Sequence, residues 1–265
     1  MKAVSSWSLH RTLGSYHSGS AAPADPEQFT PQASGLSLLD LPAALRRHGY
    51  DTVQLCHFHL PSRDPGYLAE LRSALADASI TLDALLVDDG DLVDPVAADA
   101  HQEWISGWIG DAVALGATRA RVIAGRQSPT PDRLAESGRR LAELADRHPD
   151  IRIVTENWLD LTPGPDEVET ILDAAGGRVG LLIDLGNWAA PDKYDWLGRI
   201  ARRAETCHAK CHFDGDRPDR DDFAASIRVI NQAGYAGPLA LVYDGTEPGE
   251  WEALETVHEI AGAGR

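Results

Sequence analysis

Two segments of the chain end an apolar run on a carboxylate: I-R-I-V-T-E-N-W from Ile151 to Trp158 stops at Glu156, and G-L-L-I-D-L-G-N-W from Gly180 to Trp188 stops at Asp184. A third, C-H-A-K-C-H from Cys207 to His212, spaces His208, Lys210 and His212 two residues apart. Side chains alternate along a strand, so these three share one face and the two cysteines share the other. Glu156, Asp184 and His208 together make an oxygen-rich donor set with one imidazole, which suits a divalent ion such as Mn, Mg, Zn or Co. A hydrogen-bonded polar cluster without metal is the competing account, and either carboxylate taken singly reads equally well as a helix cap. Three residues separate Cys207 from Cys211, which does not match the c-type haem spacing, and a zinc site would need both sulfurs with further ligands on one side. Packing is therefore their expected role.

Such residues act together only if the fold brings strand ends to one place. Eight short apolar or β-branched runs recur, near Ala3 to Trp7, Thr52 to Cys56, Ile80 to Val87, Thr118 to Ile123, Ile151 to Glu156, Val179 to Asp184, Thr206 to Lys210 and Leu239 to Tyr243. Between them stand helix starts, with a capping oxygen and a first-turn proline: Asp40 with Pro42, Asp64-Pro65, Thr130-Pro131, and Pro165 with Asp166 and Glu167. Gly49, Gly116, Gly176 and Gly234 close helices before the next strand. Regular β-then-α alternation implies a parallel sheet, and eight units favour closure into a (β/α)8 TIM barrel, one domain over residues 1–265, with its chemistry at the C-terminal strand ends. An open doubly wound sheet is disfavoured because no glycine-rich dinucleotide fingerprint follows the first strand. A long β1–α1 loop at about 10–35, rich in Gly, Ser, Pro and Ala and carrying Tyr16, His17 and Phe29, reads as a lid or substrate wall, with disorder as the alternative.

Composition narrows the partners. The chain has 265 residues, 43% of them hydrophobic, enough for one barrel of about 250 residues. Its 41 acidic against 24 basic side chains give a formal charge of -17, a field that repels nucleic acid and anionic membranes and suits a small neutral ligand. The opening M-K-A-V-S-S-W-S-L-H-R has no long apolar stretch, so neither a secretory signal nor a membrane span is expected, and the three cysteines are too few for a disulfide framework; both point to the cytoplasm. A homo-oligomer stays open, since apolar residues that close a dimer look the same in sequence as those that fill a core.

Through T-E-N-W at Thr155 to Trp158, I-D-L-G-N-W at Ile183 to Trp188, H-A-K at His208 to Lys210 and G-Y-A-G-P-L-A-L-V-Y-D-G from Gly234 to Gly245, the chain resembles the xylose isomerase-like barrel family over nearly its whole length. That family groups sugar isomerases and epimerases with an AP-endonuclease branch. The resemblance implies Glu156, Asp184 and His208 as metal ligands. Two departures accompany it: the family's strand-six D-x-x-H reads Asp184 with Asn187, and its strand-eight Glu is Val242, which removes a ligand and a partner base. Asp244, two residues on and on the same strand face, is the candidate substitute ligand.

The implied activity is isomerisation or epimerisation of a non-phosphorylated sugar or polyol. Removing a proton beside a carbonyl needs a base and an electrophile for the oxyanion. Glu156 is the leading base if a metal does not fully occupy it, and His212 the alternative; a metal is the electrophile, or Lys210 in its absence, though Lys210 also reads as a substrate-hydroxyl ligand or a salt-bridge partner of Asp184. Gln54, Trp158, Asn187 and Trp188 are the expected substrate contacts, the tryptophans through ring faces unless they only pack beneath loops. His57 and His59 could add ligands at the mouth, as in the multi-zinc nuclease branch, but Asn187 and Val242 stand where further ligands would be needed and the acidic surface opposes DNA. They read instead as surface or loop histidines. The D-G-T-E-P-G-E run from Asp244 to Glu250 is too acidic for a phosphate site. The alternative from another class is a metal-free barrel that binds a carbohydrate-like ligand or performs a lyase or hydrolase reaction.

Overall fold

The computed structural model describes residues 2–14, 35–189 and 191–263. Eight strands, β1 (Ala3–Ser5), β2 (Thr52–Cys56), β3 (Thr81–Val87), β4 (Arg119–Val122), β5 (Arg152–Glu156), β6 (Gly180–Asp184), β7 (Ala204–Asp214) and β8 (Leu239–Asp244), each lie parallel to the next. β8 returns to β1, pairing Ala3 with Ala240 and Val4 with Leu241, so the sheet closes. The fold is the (β/α)8 TIM barrel expected from the β-then-α rhythm, without sheet edges between first and last strands.

Helices begin at the prolines as expected, but of the expected caps only Thr130 makes its hydrogen bond: Asp40 and Asp64 cap no amide, and Gly164, without a side chain, stands before Pro165. Thr130 accepts a hydrogen bond from the Arg133 amide at 3.2 Å, and Pro131 opens the helix Pro131–Arg147. That helix buries Leu134, Leu141 and Leu144 against the sheet while Glu136, Arg139 and Glu143 pair on its outer face. Gly49, Gly116, Gly176 and Gly234 all have positive φ, between 61° and 91°, where a side chain would strain the reversal into the next strand.

Strand alternation sorts the interior. Leu, Ile and Val side chains from both layers fill the space between sheet and helices, where each fully buried one contributes about 1.5–3 kcal/mol. A smaller cluster, Cys56, Ala84, Leu86, Val154 and Leu182, fills the barrel itself. Cys207 and Cys211 lie in the outer layer with Ala209, as the alternation requires; all three cysteines are free and buried. The barrel interior also holds a polar knot: Gln54 Nε2 donates to Asp83 Oδ2 and to Thr206 Oγ1, both at 2.8 Å, and Arg119 pairs with Asp83.

Two strand ends differ from the sequence reading. β1 stops at Ser5 and turns into a 3-10 helix over Ser6–Leu9, because Ser6 and Ser8 hydroxyls take the neighbouring strand-end amides of Cys56 and Tyr243. β7 continues past Lys210 to Asp214, since Cys211 and His212 keep register with Tyr243 and Asp244 of β8. It then folds back on the two-residue antiparallel strand Arg217–Pro218. The start of the β1–α1 loop is pinned: Glu250, 4% exposed, accepts the backbone amides of Arg11 and Thr12 at 3.0 and 3.1 Å. The acidic run ending at Glu250 thus anchors a loop. Tyr16, His17 and Phe29, and with them the expected lid, lie outside the described residues.

Candidate active site

β5 and β6 end on Glu156 and Asp184, and β7 carries His208 past them on its inward face, so the three side chains reach one point. Asp184 is in register with His208 across β6 and β7. His208 Nδ1 lies 3.4 Å from Glu156 Oε1 and 3.4 Å from Asp184 Oδ2. All three residues are buried, and they line a cavity of about 140 Å³ at the C-terminal end of the barrel. Within the described residues this is the one group of three His, Cys, Asp or Glu side chains whose donor atoms fall within 4.8 Å of one another.

The donor set fits a divalent ion. Glu156 Oε2, Asp184 Oδ2 and His208 Nε2 are buried and receive or give no directed hydrogen bond, although cations stand near. The two carboxylate oxygens keep ion-pair partners, Arg121 Nε at 3.0 Å and Lys210 Nζ at 3.3 Å, but the lone pairs left without a directed bond, that of His208 Nε2 included, are open to a cation. Glu156, Asp184 and His208 could therefore hold a metal.

Electrostatics in the cavity are nearly balanced by the chain itself. Burial favours neutral Asp184, yet Lys210 and then His208 offset it and hold the carboxyl well below its usual range. Burial presses the His208 imidazole down, while Glu156 and Asp184 more than compensate and raise it. Lys210 behaves likewise, raised by Asp184 and Glu156 against the effect of burial. Its ammonium lies 3.3 Å from Asp184 Oδ2 and donates to Asn187 Oδ1 at 2.8 Å.

Asn187 bridges the site: its Nδ2 donates to Glu156 Oε1 at 3.0 Å while its Oδ1 accepts from Lys210, the one amide orientation that serves both partners. Gly186, just before it, leaves room for the lysine. A Cβ there would sit 2.6 Å from Lys210 Cδ and 2.9 Å from His212 Nε2.

Other residues singled out from sequence divide into those the fold brings together and those it does not. Trp158 lines the cavity, with the Arg121 guanidinium 5.2 Å from its ring centre. Trp188 is turned away: its Nε1 donates to the Thr162 carbonyl at 3.1 Å and its ring packs edge-on against Trp196. Gln54 is fully buried in the polar knot and does not line the cavity. Val242 does line it, opposite Lys210 in register. Asp244 stands apart from the three-residue group and pairs with His212, Nδ1 to Oδ2 at 3.1 Å. The other His212 nitrogen faces the Gly186 carbonyl at 2.9 Å. Acceptors on both sides engage both ring nitrogens, and Asp244 first of all raises the imidazole pKa, so the ring offers no free nitrogen to a substrate.

Sequence reasoning missed four contributors. Arg121 on β4, 2% exposed, pairs with Asp88 and places Nε 3.0 Å from Glu156 Oε2. Asp88 follows β3 as Glu156 and Asp184 end their strands, so the same rule would have found it. Asn157 stitches β5 to β6, donating to the Asp184 carbonyl at 3.0 Å and accepting its amide at 2.7 Å. Trp7, 40% exposed at the rim, stands edge-on to Phe58 and lines the cavity. His57 and His59 are not surface histidines: both are fully buried on a 3-10 turn after β2, His57 Nδ1 accepting the Asp88 amide at 3.1 Å and His59 Nδ1 sharing a hydrogen bond with Ser6 Oγ at 2.8 Å. Aromatic neighbours Trp104, Trp108 and Phe58 enclose His57, which is why a loop position becomes core.

The fold has relatives. A search of curated protein sequences gives no match. Among solved structures, a xylose isomerase-like TIM barrel protein from Mycobacterium smegmatis in complex with magnesium is 18% identical, with a TM-score of 0.69 over 99% of this chain and 97% of that one. D-allulose 3-epimerase from Methylomonas sp. in complex with D-allulose is 17% identical, with a TM-score of 0.66 over 86% and 91%. The probable 3-DHS dehydratase AsbF from Bacillus anthracis is 11% identical, with a TM-score of 0.70 over 99% of each chain. At these identities the likeness concerns the fold. The family model described as xylose isomerase-like TIM barrel matches residues 42–259, which take in every cavity residue from β2 onward, and the chain belongs to that family.

Proposed function

We propose that the protein is an isomerase or epimerase of a non-phosphorylated sugar or polyol, working with a divalent ion held by Glu156, Asp184 and His208. The observation that carries this reading is the convergence of those three buried side chains, with unsatisfied donor atoms, on a cavity at the strand ends. Relatives described as an epimerase bound to D-allulose and as a magnesium complex support it. A bound ion supplies Lewis-acid stabilisation of a developing oxyanion.

The chain's own residues account for the rest. Lys210 presents an ammonium to the cavity, a donor for a substrate hydroxyl or oxyanion. Glu156 is the candidate base through whichever oxygen a bound ion leaves open, with Asn187 at Oε1 and Arg121 facing Oε2. Trp7 and Trp158 offer ring faces to the C–H surface of a sugar. Among the described residues, the arginine and lysine that line the cavity, Arg121 and Lys210, stand apart on different carboxylates and form no basic cluster of the kind that grips a phosphate, which favours an uncharged substrate.

A second reading, metal-free ligand binding or lyase chemistry in the same cavity, is favoured by one observation: Lys210 stands on Asp184 where Val242 offers no carboxylate. The test separates them. Purified protein is titrated with Mn2+ by calorimetry, and unphosphorylated aldoses, ketoses and polyols are then screened by NMR in D2O for isomer formation and deuterium uptake. The expected outcome is one ion per chain, lost in Glu156→Gln and His208→Ala, with metal-dependent exchange at a carbon beside a carbonyl. Absence of binding, with turnover indifferent to added Mn2+ or Co2+, overturns the metal-dependent reading.

A further inference from the structure

The chain contains three lysines among its 24 basic side chains: Lys2, Lys193 and Lys210. Lys2 pairs with Glu255 and Lys193 with Asp222, both away from the cavity. Lys210 alone of the three enters the cavity, and it goes to a particular atom. Its Nζ lies 3.3 Å from Asp184 Oδ2, the same oxygen that faces His208 Nδ1 at 3.4 Å and that has no directed hydrogen bond.

Packing holds it there. The aliphatic stem runs so close over Gly186 that a Cβ on that residue would fall 2.6 Å from Lys210 Cδ, and Asn187 Oδ1 accepts from the ammonium at 2.8 Å. On the β8 side the competition is weak: Val242 faces the lysine in register, and the next carboxylate on that strand, Asp244, is engaged by His212 at 3.1 Å.

The geometry points to Lys210 as an internal competitor for the divalent ion: its ammonium and a metal both require Asp184 Oδ2, so the protein exchanges one cation for the other and holds the ion weakly and reversibly. This rests on the metal-dependent reading above. Two cations cannot share one carboxylate oxygen in a buried site without strong repulsion, because the effective dielectric there is far below that of water. When an ion enters, the ammonium must leave Asp184 while remaining within reach of Asn187. The lysine then neutralises the carboxylates in the metal-free protein, which otherwise would carry buried, unpaired charge.

The experiment is Mn2+ titration of the folded protein by calorimetry, with Lys210→Met, Lys210→Gln and Lys210→Arg beside it and circular dichroism to confirm folding. Lys210→Met is expected to tighten Mn2+ binding by about tenfold or more, from removal of one charge at contact distance. Lys210→Gln, which keeps a partner for Asn187, is expected to do the same and stands in if the methionine variant does not fold. Lys210→Arg keeps the charge and is expected to bind Mn2+ no more tightly than the parent. Equal or weaker binding in both neutral variants overturns the role of Lys210 while leaving the metal site standing. No binding by any of the four proteins overturns the metal reading itself.

Discussion

Arg121 Nε lies 3.0 Å from Glu156 Oε2, and the two side chains are 2% and 3% exposed. The same guanidinium pairs with Asp88 and donates to the Val87 carbonyl at 3.1 Å, so one arginine ties the ends of β3, β4 and β5 together. Burial would depress the guanidinium, but Asp88 and Glu156 outweigh it and keep the charge in place. Asp88 is in turn held well below the ordinary carboxylate range, where burial alone would raise it, by Arg121 and His57.

Arg121→Met leaves the buried Glu156 and the largely enclosed Asp88 short of their partner and is expected to cost about 3–5 kcal/mol of stability in urea unfolding. Arg121→Lys recovers little, because one ammonium cannot span Asp88, Val87 and Glu156 as the planar fork does. A loss below about 1 kcal/mol would show that the pairing is not what holds these strand ends.

Gln54→Leu separates a structural from a ligand-binding role for that residue. Its amide serves Asp83 and Thr206 inside the barrel, so the substitution is expected to lower stability by about 1–3 kcal/mol and leave Mn2+ affinity unchanged. Loss of sugar turnover at full stability would place Gln54 in contact with substrate instead.

Val242→Glu adds a carboxylate to the cavity opposite Lys210. More ligand charge tightens divalent-ion binding, and an increase of about tenfold in Mn2+ affinity is expected by calorimetry. The metal-free variant is expected to melt below the parent, since an added buried carboxylate must find a partner. Unchanged affinity would mean that the cavity wall at β8 is too far from the three ligands to contribute.

Acid sensitivity has an identifiable source in His59. Burial, its largest cause, pushes the ring down to about 3, against an ordinary value of 6.5. The unfolded chain therefore takes up a proton that the folded one refuses. The stabilising effect of keeping His59 neutral is complete above pH 6.5 and declines as pH falls toward 3, by about 2 kcal/mol at pH 5. Urea unfolding at pH 7 and pH 5 is expected to show a smaller drop in His59→Gln than in the parent. An equal drop in both proteins would assign the acid sensitivity to other groups.

The barrel was legible because its signals are local and periodic. Eight apolar runs, the capped helix start at Thr130-Pro131, the proline helix start at Pro165, and glycines at 49, 116, 176 and 234 act within a few residues of where they stand, and the structure places them accordingly. The convergence of Glu156, Asp184 and His208 was legible for a related reason: in a parallel barrel, inward-facing polar side chains toward the C-terminal side of adjacent strands share one mouth. Strand alternation likewise told His208 and Lys210 from Cys207 and Cys211.

Partnerships were decided only by tertiary structure. Nothing in sequence shows that Arg121, 35 residues before Glu156, would lie against it, that Asn187 would join Glu156 to Lys210, or that His212 would spend both nitrogens on Asp244 and Gly186. Residue type announces a charge or a donor, but which atom it faces depends on strand register, on the depth at which each side chain enters the barrel, and on small residues such as Gly186 that let another chain segment approach. Those are properties of several strands at once, so no single stretch of sequence contains them.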